Sequence, residues 1–360
     1  MKITISPTLH EPVLAAINSV SSSMFNSFTD HAGHGVRIST PMPFRSRENM
    51  SRHMLVTGAS GMLGSRMVAA LRAEIPGDRK APGAEGAHNT VTGWSYRREA
   101  PGLRSVDATS EEQVDRYFAE YTPQVCVHCV AAPDVQVCER SPRTAYLLNT
   151  TSTENVARAC ERYGTKLVYI STEYVFDGSA DGGYREDDAP APLQSYGETK
   201  LLGEHRAALA PGALTVRLPV LYGDPVPHRE PTWLEAMLEA IGRGRHVGLD
   251  DHYVRQPTWS HDVAALVARA VSLDLTGVLH VAAQEGATKY GWGRLVAEAA
   301  GLSPDLLLPT RPEPGGALRP ERPWLLTERL ESLGLRPPPG VRDRAADYLR
   351  LTDSRPRSRA

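Results

Sequence analysis

The amino-acid sequence predicts an α/β protein with a doubly wound parallel sheet and a second, smaller lobe. Short, continuously apolar runs alternate with helical stretches from residue 53 onward. This alternation is expected of a parallel sheet whose two faces are both covered by helices. A glycine-rich turn joins the first apolar run to the first helix, and two stretches richer in proline and glycine interrupt the later pattern. These interruptions predict the second lobe.

The predicted elements follow one another along the chain. The strand candidates are residues 53–57, 89–96, 124–130, 166–172, 214–219 and 277–282. The helical candidates are residues 62–73, 111–120, 141–163, 196–209 and 260–273, with two more in the second lobe at 232–242 and 289–300. The predicted sheet domain comprises residues 53–223 and 253–282, and the second lobe comprises 224–252 and 283–350. We predict that residues 1–52 form an extension that is disordered or that results from translation upstream of the true start. We predict that residues 351–360 form a frayed tail.

Bulk composition excludes several classes of protein. The formal net charge is −2, so no general basic field indicates a nucleic-acid partner or an anionic membrane. No apolar run approaches the roughly 18 residues of a membrane span, and the N-terminus makes a poor signal peptide. Four cysteines in 360 residues form no disulfide framework, which favours a cytoplasmic location.

Two metal or redox candidates are weak. His31 and His34 lack the further ligands that a metal site needs. Cys126 and Cys129 form a C-x-x-C, which would suit a redox pair or half of a zinc site. On a buried strand these two side chains point to opposite faces, so core packing is favoured. We predict no metal site.

The glycine-rich turn is the strongest signal in the sequence. Gly58, Gly61 and Gly64 are spaced G-x-x-G-x-x-G between the first strand and the first helix. Such a turn lets backbone N–H groups approach a pyrophosphate, and the helix N-terminus adds its positive end. A merely structural turn is the alternative. The sequence predicts a dinucleotide-binding Rossmann domain, with turn contacts from Ser60, Met62 and Leu63 as well as the glycines.

Two arginines follow the second strand. Arg97 and Arg98 stand where an acidic residue would hold a ribose 2′-hydroxyl. An arginine fork suits a 2′-phosphate instead, so NADPH is favoured, with NADH as the alternative cofactor. Solvated arginines in an arginine-rich chain are the alternative interpretation.

A third constellation predicts the chemistry. Thr172 lies just beyond the carboxyl end of a predicted strand, where open α/β sheets bind ligands. Tyr196 and Lys200 are four residues apart, on one helix face. A tyrosine is a reluctant acid at neutral pH, and a fixed ammonium beside it lowers its pKa. In this interpretation Thr172 binds a substrate carbonyl, Tyr196 protonates its oxygen, and Lys200 also donates to ribose hydroxyls.

The lysine itself is informative. Of the 40 basic residues only 5 are lysines, so a basic position here is usually an arginine. A compact ammonium differs from a broad, planar guanidinium, so Lys200 marks a place where the chemistry needs a lysine.

Together these residues resemble an extended short-chain dehydrogenase/reductase. More closely, the chain is similar to the dTDP-4-dehydrorhamnose reductase family, which includes the regulatory beta subunit of methionine adenosyltransferase. The resemblance covers about residues 53–350 and depends on the segments "VTGASGMLG", "YISTEYVFDG", "LQSYGETKLLGE", "VRLPVLYG", "QPTWSHDVAALV" and "LRPERPWLLTERLESLGL".

The resemblance implies roles for further residues. Asp107 and Ala108 would flank the adenine, and Val130, Ala131 and Ala132 would line the cofactor ribose. Asn149 would support the active-site backbone, and Leu218 and Pro219 would lie by the nicotinamide. The family usually has aspartate where this chain has Glu173, which puts a copied role for that substrate-side residue in doubt. Arg319 is a candidate for a substrate diphosphate.

The resemblance implies an NADPH-dependent reductase of the 4-keto group of a nucleotide-activated, dTDP-linked 6-deoxyhexose in deoxysugar biosynthesis. The second lobe would then bind the nucleotide sugar, and a homodimer is compatible with the sequence. The alternative is a regulatory subunit that binds NADP and methionine adenosyltransferase without turnover.

Overall fold

The computed structural model describes residues 53–74, 90–96, 102–223, 231–312 and 315–353. The predicted extension at 1–52, the arginines Arg97 and Arg98, and residues 354–360 of the predicted tail lie outside this part of the chain. A sheet of seven parallel strands occupies its centre. The strands of this sheet are β1 (His53–Thr57), β2 (Thr90–Ser95), β3 (Leu103–Ser105), β4 (Val125–His128), β5 (Lys166–Thr172), β6 (Leu214–Leu218) and β10 (Gly277–His280).

The strand order confirms the predicted fold class. Across the sheet the order is β3-β2-β1-β4-β5-β6-β10, and every neighbouring pair is parallel. The chain reverses direction across the sheet between β1 and β4, which is the switch point of a doubly wound sheet. Open sheets of this kind bind ligands at the carboxyl ends of their strands near that point.

Helices cover both faces of the sheet. They are α1 (Met62–Glu74), α2 (Glu111–Tyr121), α3 (Val135–Arg140), α4 (Pro142–Tyr146), α5 (Ser152–Tyr163), α6 (Ser195–Ala207) and α8 (Ser260–Ser272). A π-helical turn at Leu147–Thr151 joins α4 to α5. Along β1, Met54 and Val56 pack with α1 and α8, whereas Leu55 packs with α2 and α5. The continuously apolar strands therefore contribute side chains to two core layers, one on each face of the sheet.

Local sequence signals fix several helix ends. The Ser110 side chain accepts from the amide of Gln113 at the start of α2. Thr232 and Glu235 form a capping box at the start of α7 (Trp233–Gly242). Gly164 ends α5 in the left-handed region, with φ of 66°. Such caps satisfy amides and carbonyls that the helix itself leaves without a partner.

A second apolar core lies beside the sheet. Two small parallel ladders pair β7 (Leu221–Tyr222) with β9 (Thr258–Trp259) and β8 (Val247–Asp250) with β11 (Leu307–Thr310). Three helices pack with them: α7, α9 (Lys289–Ala299) and α11 (Val341–Asp353). A short helix, α10 (Glu328–Ser332), packs near β10. This core resembles the predicted smaller lobe, although the division into domains stays a prediction.

The C-x-x-C is part of the packing. Cys126 lies with Cys160 in the core layer beneath α5, whereas Cys129 packs against the opposite layer. The opposite orientation is the one that strand geometry predicted. Burial raises the pKa of the Cys129 thiol to about 12, which keeps it protonated and unreactive at neutral pH.

Candidate active site

One cavity of about 1400 Å³ opens where the carboxyl ends of the central strands face the second core. Most of the sequence-predicted site residues line it. They are Gly58, Ser60, Gly61, Met62, Leu63, Gly64, Asp107, Ala108, Val130, Ala131, Thr172, Glu173, Tyr196, Lys200, Leu218, Pro219 and Arg319. The structure thus brings together residues that are far apart in the sequence, and their individual roles stay predictions.

The glycine turn forms one end of the cavity. Gly58 has φ of +65°, and a Cβ there would lie 3.0 Å from the backbone of Cys129 and Val130. A Cβ on Gly64 would lie 2.2 Å from the Gly58 carbonyl oxygen. Glycine is therefore needed at both positions, because the turn packs against the segment after β4 at Gly58 and against the first turn of α1 at Gly64. The first amides of α1 have no partner within the helix and can face an anion.

The predicted acid–base residues lie at the carboxyl end of β5 and on helix α6. Thr172 ends β5, and its hydroxyl oxygen accepts from the Tyr174 amide at 3.2 Å. Burial raises the pKa of Tyr196, and a hydrogen bond with the Thr172 side chain opposes that rise. The Tyr196 ring also meets the Tyr174 ring edge-on, with the centroids 5.8 Å apart. Tyr196 is therefore a protonated phenol at neutral pH.

Lys200 is buried on the next turn of α6, with 2% of its surface exposed. Its Nζ donates to the Ile170 carbonyl oxygen at 2.7 Å and lies 4.2 Å from the centre of the Tyr169 ring. Burial lowers the pKa of Lys200 to about 7, against the charge of Glu204. We predicted that a fixed ammonium lowers the pKa of Tyr196. In this structure the strongest influence that lowers the pKa of Tyr196 is the hydrogen bond with the Thr172 side chain.

Asn149 and Ala132 lie behind the cavity wall rather than on it. The Asn149 side chain accepts from the Ala132 amide at 2.7 Å and donates to Thr199 Oγ1 at 3.0 Å. It thereby ties the segment after β4 to helix α6, which carries Tyr196 and Lys200. Neither residue is among those that line the cavity, and the roles that the resemblance implied for Asn149 and Ala132 stay predictions.

Glu173 is the departure from the family pattern, and it is buried beside Arg255. Only 1% of Glu173 is exposed, and its Oε1 lies 3.5 Å from Arg255 Nε. Burial raises the pKa of the Glu173 carboxyl to about 8, while the charge of Arg255 and the Val220 amide oppose the rise. Within the described residues neither carboxylate oxygen has a well-formed hydrogen bond.

A cationic end of the cavity was missed in part by sequence reasoning. Lys289 and Arg311 line the cavity together with Arg319, and only Arg319 was predicted. Lys289 Nζ lies 4.6 Å from the centre of the Trp233 ring, and burial together with the charge of Arg319 lowers the pKa of Lys289. The rarity of lysine in this chain was a usable signal, because Lys289 is another of its few lysines.

Arg97 and Arg98 lie outside the described residues, so their contact with a 2′-phosphate stays a prediction. The nearby described part of β2 supplies Ser95, whose hydroxyl donates to Ser60 Oγ in the glycine turn at 3.0 Å. Among the described residues no group of three or more His, Cys, Asp or Glu side chains could hold a metal ion. No helix in the same part of the chain is both long and apolar enough to span a membrane.

The sheet order, the glycine turn and the grouping of Thr172, Tyr196 and Lys200 define a Rossmann-fold protein of the oxidoreductase type. A family model described as the RmlD substrate binding domain matches residues 52–353. The chain belongs to this family, and the resemblance to dTDP-4-dehydrorhamnose reductases is confirmed.

Individual relatives point in two directions. Methionine adenosyltransferase 2 subunit beta of Xenopus laevis is 33% identical over 295 residues, covering 79% of this chain and 83% of that protein. A Haloferax volcanii protein named "Probable low-salt glycan biosynthesis reductase Agl14" is 34% identical over 258 residues, covering 69% and 80%. The crystal structure of a dTDP-4-dehydrorhamnose reductase ortholog from Clostridium acetobutylicum is 26% identical with a TM-score of 0.70, covering 83% of this chain and 99% of that one.

Proposed function

We propose that the protein is an NADPH-dependent reductase of the 4-keto group of a nucleotide-linked 6-deoxyhexose. One observation carries the proposal: a single cavity holds the glycine turn, the Thr172–Tyr196–Lys200 group and a cationic end with an aromatic face. The lining of that cavity therefore offers groups suited to binding a cofactor, a ketone and a diphosphate. The relatives named as reductases support the same class of activity.

The residues at the sheet end of the cavity fit a nicotinamide dinucleotide. Gly64 lets the start of α1 pack against the Gly58 carbonyl, and Gly58 lets the turn pack against the backbone of Cys129 and Val130. The N-terminus of α1 in this turn could bind a pyrophosphate. Asp107, Ala108, Leu218 and Pro219 also line the cavity, where the first two would flank the adenine and the last two would lie by the nicotinamide. When bound, NADPH would supply the hydride for reduction of a ketone.

The side chains at the strand ends supply a proton and hold the ketone. Thr172 Oγ1 accepts from the Tyr174 amide, and its side chain also hydrogen-bonds Tyr196, so a ketone oxygen bound between them would take over the hydrogen bond from the Thr172 hydroxyl. Tyr196 keeps its proton at neutral pH, because burial raises its pKa, and can deliver it to the same oxygen. Reduction needs such a donor. Lys200 lies one turn after Tyr196 on α6, and burial lowers its pKa to about 7, so its Nζ can hold a proton there.

The cationic end suits a nucleoside diphosphate. Burial lowers the pKa of Lys289, and the positive charge of Arg319 lowers it further. Like charges held together in a cavity are stabilised by an anion between them. The Trp233 ring lies beside them and offers a stacking face for a base or sugar.

Turnover tests the proposal directly. Purified protein with NADPH and dTDP-4-keto-6-deoxyglucose should consume NADPH, measured by its loss of absorbance. Tyr196→Phe should lower turnover by roughly a hundredfold to ten-thousandfold, since it removes the proton donor. NADP⁺ affinity should change little in this variant. If neither this sugar nor close nucleotide-sugar analogues are turned over, the proposed activity is wrong.

A second candidate function is a regulatory subunit that binds NADP and methionine adenosyltransferase without turnover. It is favoured by the relative named as a subunit of that enzyme, whose identity to this chain is about as high as that of the reductase. A pull-down with purified methionine adenosyltransferase, set beside the turnover assay, distinguishes the two. A stable complex without turnover would support the subunit, and turnover without a complex would support the reductase.

A further inference from the structure

We propose that Arg255 is a positioning residue that fastens residues 318–322 to the catalytic end of β5, and so sets where Arg319 meets the substrate. This inference rests on the proposed function for the identity of the ligand, but its geometry stands independently. Arg255 lies before β9, far in sequence from both segments that it joins.

Arg255 holds the later segment through its guanidinium. Its Nη2 donates to the Pro320 carbonyl oxygen at 2.8 Å, and its Nη1 donates to the Glu321 carbonyl oxygen at 3.1 Å. The neighbouring Val254 amide donates to the same Glu321 oxygen at 3.0 Å. Three donors thus hold two consecutive peptide units, and hydrogen bonds from a charged donor are stronger than those from a neutral one.

The other side of the segment is closed by a glycine. Gly178 has φ of +78°, and a Cβ there would lie 2.7 Å from Pro320 Cβ and 2.9 Å from the Arg322 amide nitrogen. Pro320 itself is buried. The backbone at 320–322 therefore packs between Gly178 and Arg255. Arg319, the residue just before this packed segment, is exposed and lines the cavity.

Arg255 also contacts the catalytic strand end. Its Nε lies 3.5 Å from Glu173 Oε1, and its guanidinium carbon lies 5.4 Å from the centre of the Tyr174 ring. Glu173 and Tyr174 directly follow Thr172, and Tyr174 meets the Tyr196 ring. One side chain therefore joins the place where the ketone would bind to the segment that carries Arg319.

The test compares Arg255→Met with Arg344→Met. Arg344 pairs with Asp262 at 2.7 Å, with an Arg344 side chain that is 30% exposed, and it lies outside the cavity lining. It is the matched control, because it too loses guanidinium hydrogen bonds to a segment distant in sequence. Thymidine 5′-diphosphate and NADP⁺ are titrated by calorimetry into both variants and the wild type. Arg255→Met should weaken the diphosphate by about tenfold to a hundredfold and leave NADP⁺ affinity within about twofold.

Hydrogen exchange supplies a readout that does not depend on any ligand. The Val254 amide should exchange faster in Arg255→Met, whereas the Tyr184 amide, which donates to Trp324 at 2.7 Å, should keep its rate. An unchanged Val254 rate, or equal weakening of both ligands, overturns the positioning role. If wild-type protein binds no thymidine 5′-diphosphate, the proposed substrate class fails, and the exchange rates alone still decide the role of Arg255.

Discussion

At the scale of single residues, Lys200 shows why a rare residue type is informative. Its Nζ fits between the Ile170 carbonyl oxygen and the face of Tyr169, in a space with 2% exposure. A guanidinium is broader, planar and always charged, whereas burial lowers the pKa of this lysine to about 7. The position therefore selects lysine for both shape and titration.

Lys200→Arg should lower turnover by roughly tenfold to a thousandfold, because the wider group displaces Tyr196 or the cofactor ribose. The pH profile of residual turnover should also move, since arginine cannot titrate near neutrality. The matched control is Lys166→Arg. Lys166 is equally a lysine of low exposure, but it pairs with Asp274 at 2.6 Å away from the cavity, so turnover should be unchanged. Wild-type turnover in Lys200→Arg would remove the lysine from the mechanism.

We also predict that two single residues decide the choice between NADPH and NADH. Arg97→Ala combined with Arg98→Ala should weaken NADPH far more than NADH, because only NADPH carries the 2′-phosphate. The expected loss is about 1.5–3 kcal/mol for each charge-assisted contact removed. Dissociation constants for both cofactors provide the measurement. Equal weakening of the two would show that these arginines do not recognise the phosphate.

At the scale of elements, the predictable parts are those whose local pattern is long and regular. All seven strands of the main sheet except β3 follow from apolar runs, and α1, α2, α6, α7, α8 and α9 follow from helical periodicity. The short strands β7, β8, β9 and β11 were not predicted, because two to four residues carry too little pattern. Helix α11 was also missed, and it runs to Asp353, three residues into the predicted tail.

The turn before α1 lies between the first strand and the first helix, where the glycine spacing predicted a turn. Gly58→Ala should destabilise the protein by more than the roughly 1–2 kcal/mol cost of the left-handed backbone, because its Cβ also meets the Cys129 and Val130 backbone at 3.0 Å. Cofactor affinity should fall with it. Gly164→Ala is the control, since its φ is +66° but nothing lies within 4 Å. Equal free energies of unfolding for the two variants would contradict the close approach.

At the scale of the whole molecule, the candidate site depends on contacts that no local pattern encodes. Thr172, Tyr196 and Lys200 could be predicted together because strand ends and helix faces follow simple geometry. Arg255 could not, since its place in the cavity depends on how the second core packs beside the sheet, and the rarity of lysine marks Lys289 without giving its place there. Glu173 was noticed as a departure, but its burial against Arg255 appears only in three dimensions.

Burial of Glu173 has a consequence for the stability of the whole molecule. Its carboxyl loses its proton near pH 4.5 when unfolded, but the folded state raises this pKa to about 8. Between these values the unfolded state binds fewer protons, so this residue makes the free energy of unfolding fall as pH rises. Glu173→Gln lacks this effect, so its stability relative to wild type should rise across that window by up to about 1.4 kcal/mol per pH unit. Urea unfolding at several pH values measures the difference. Glu112→Gln, at a side chain 79% exposed, should run parallel to wild type. A flat difference for Glu173→Gln would mean that the buried carboxyl is ionised throughout, held by Arg255.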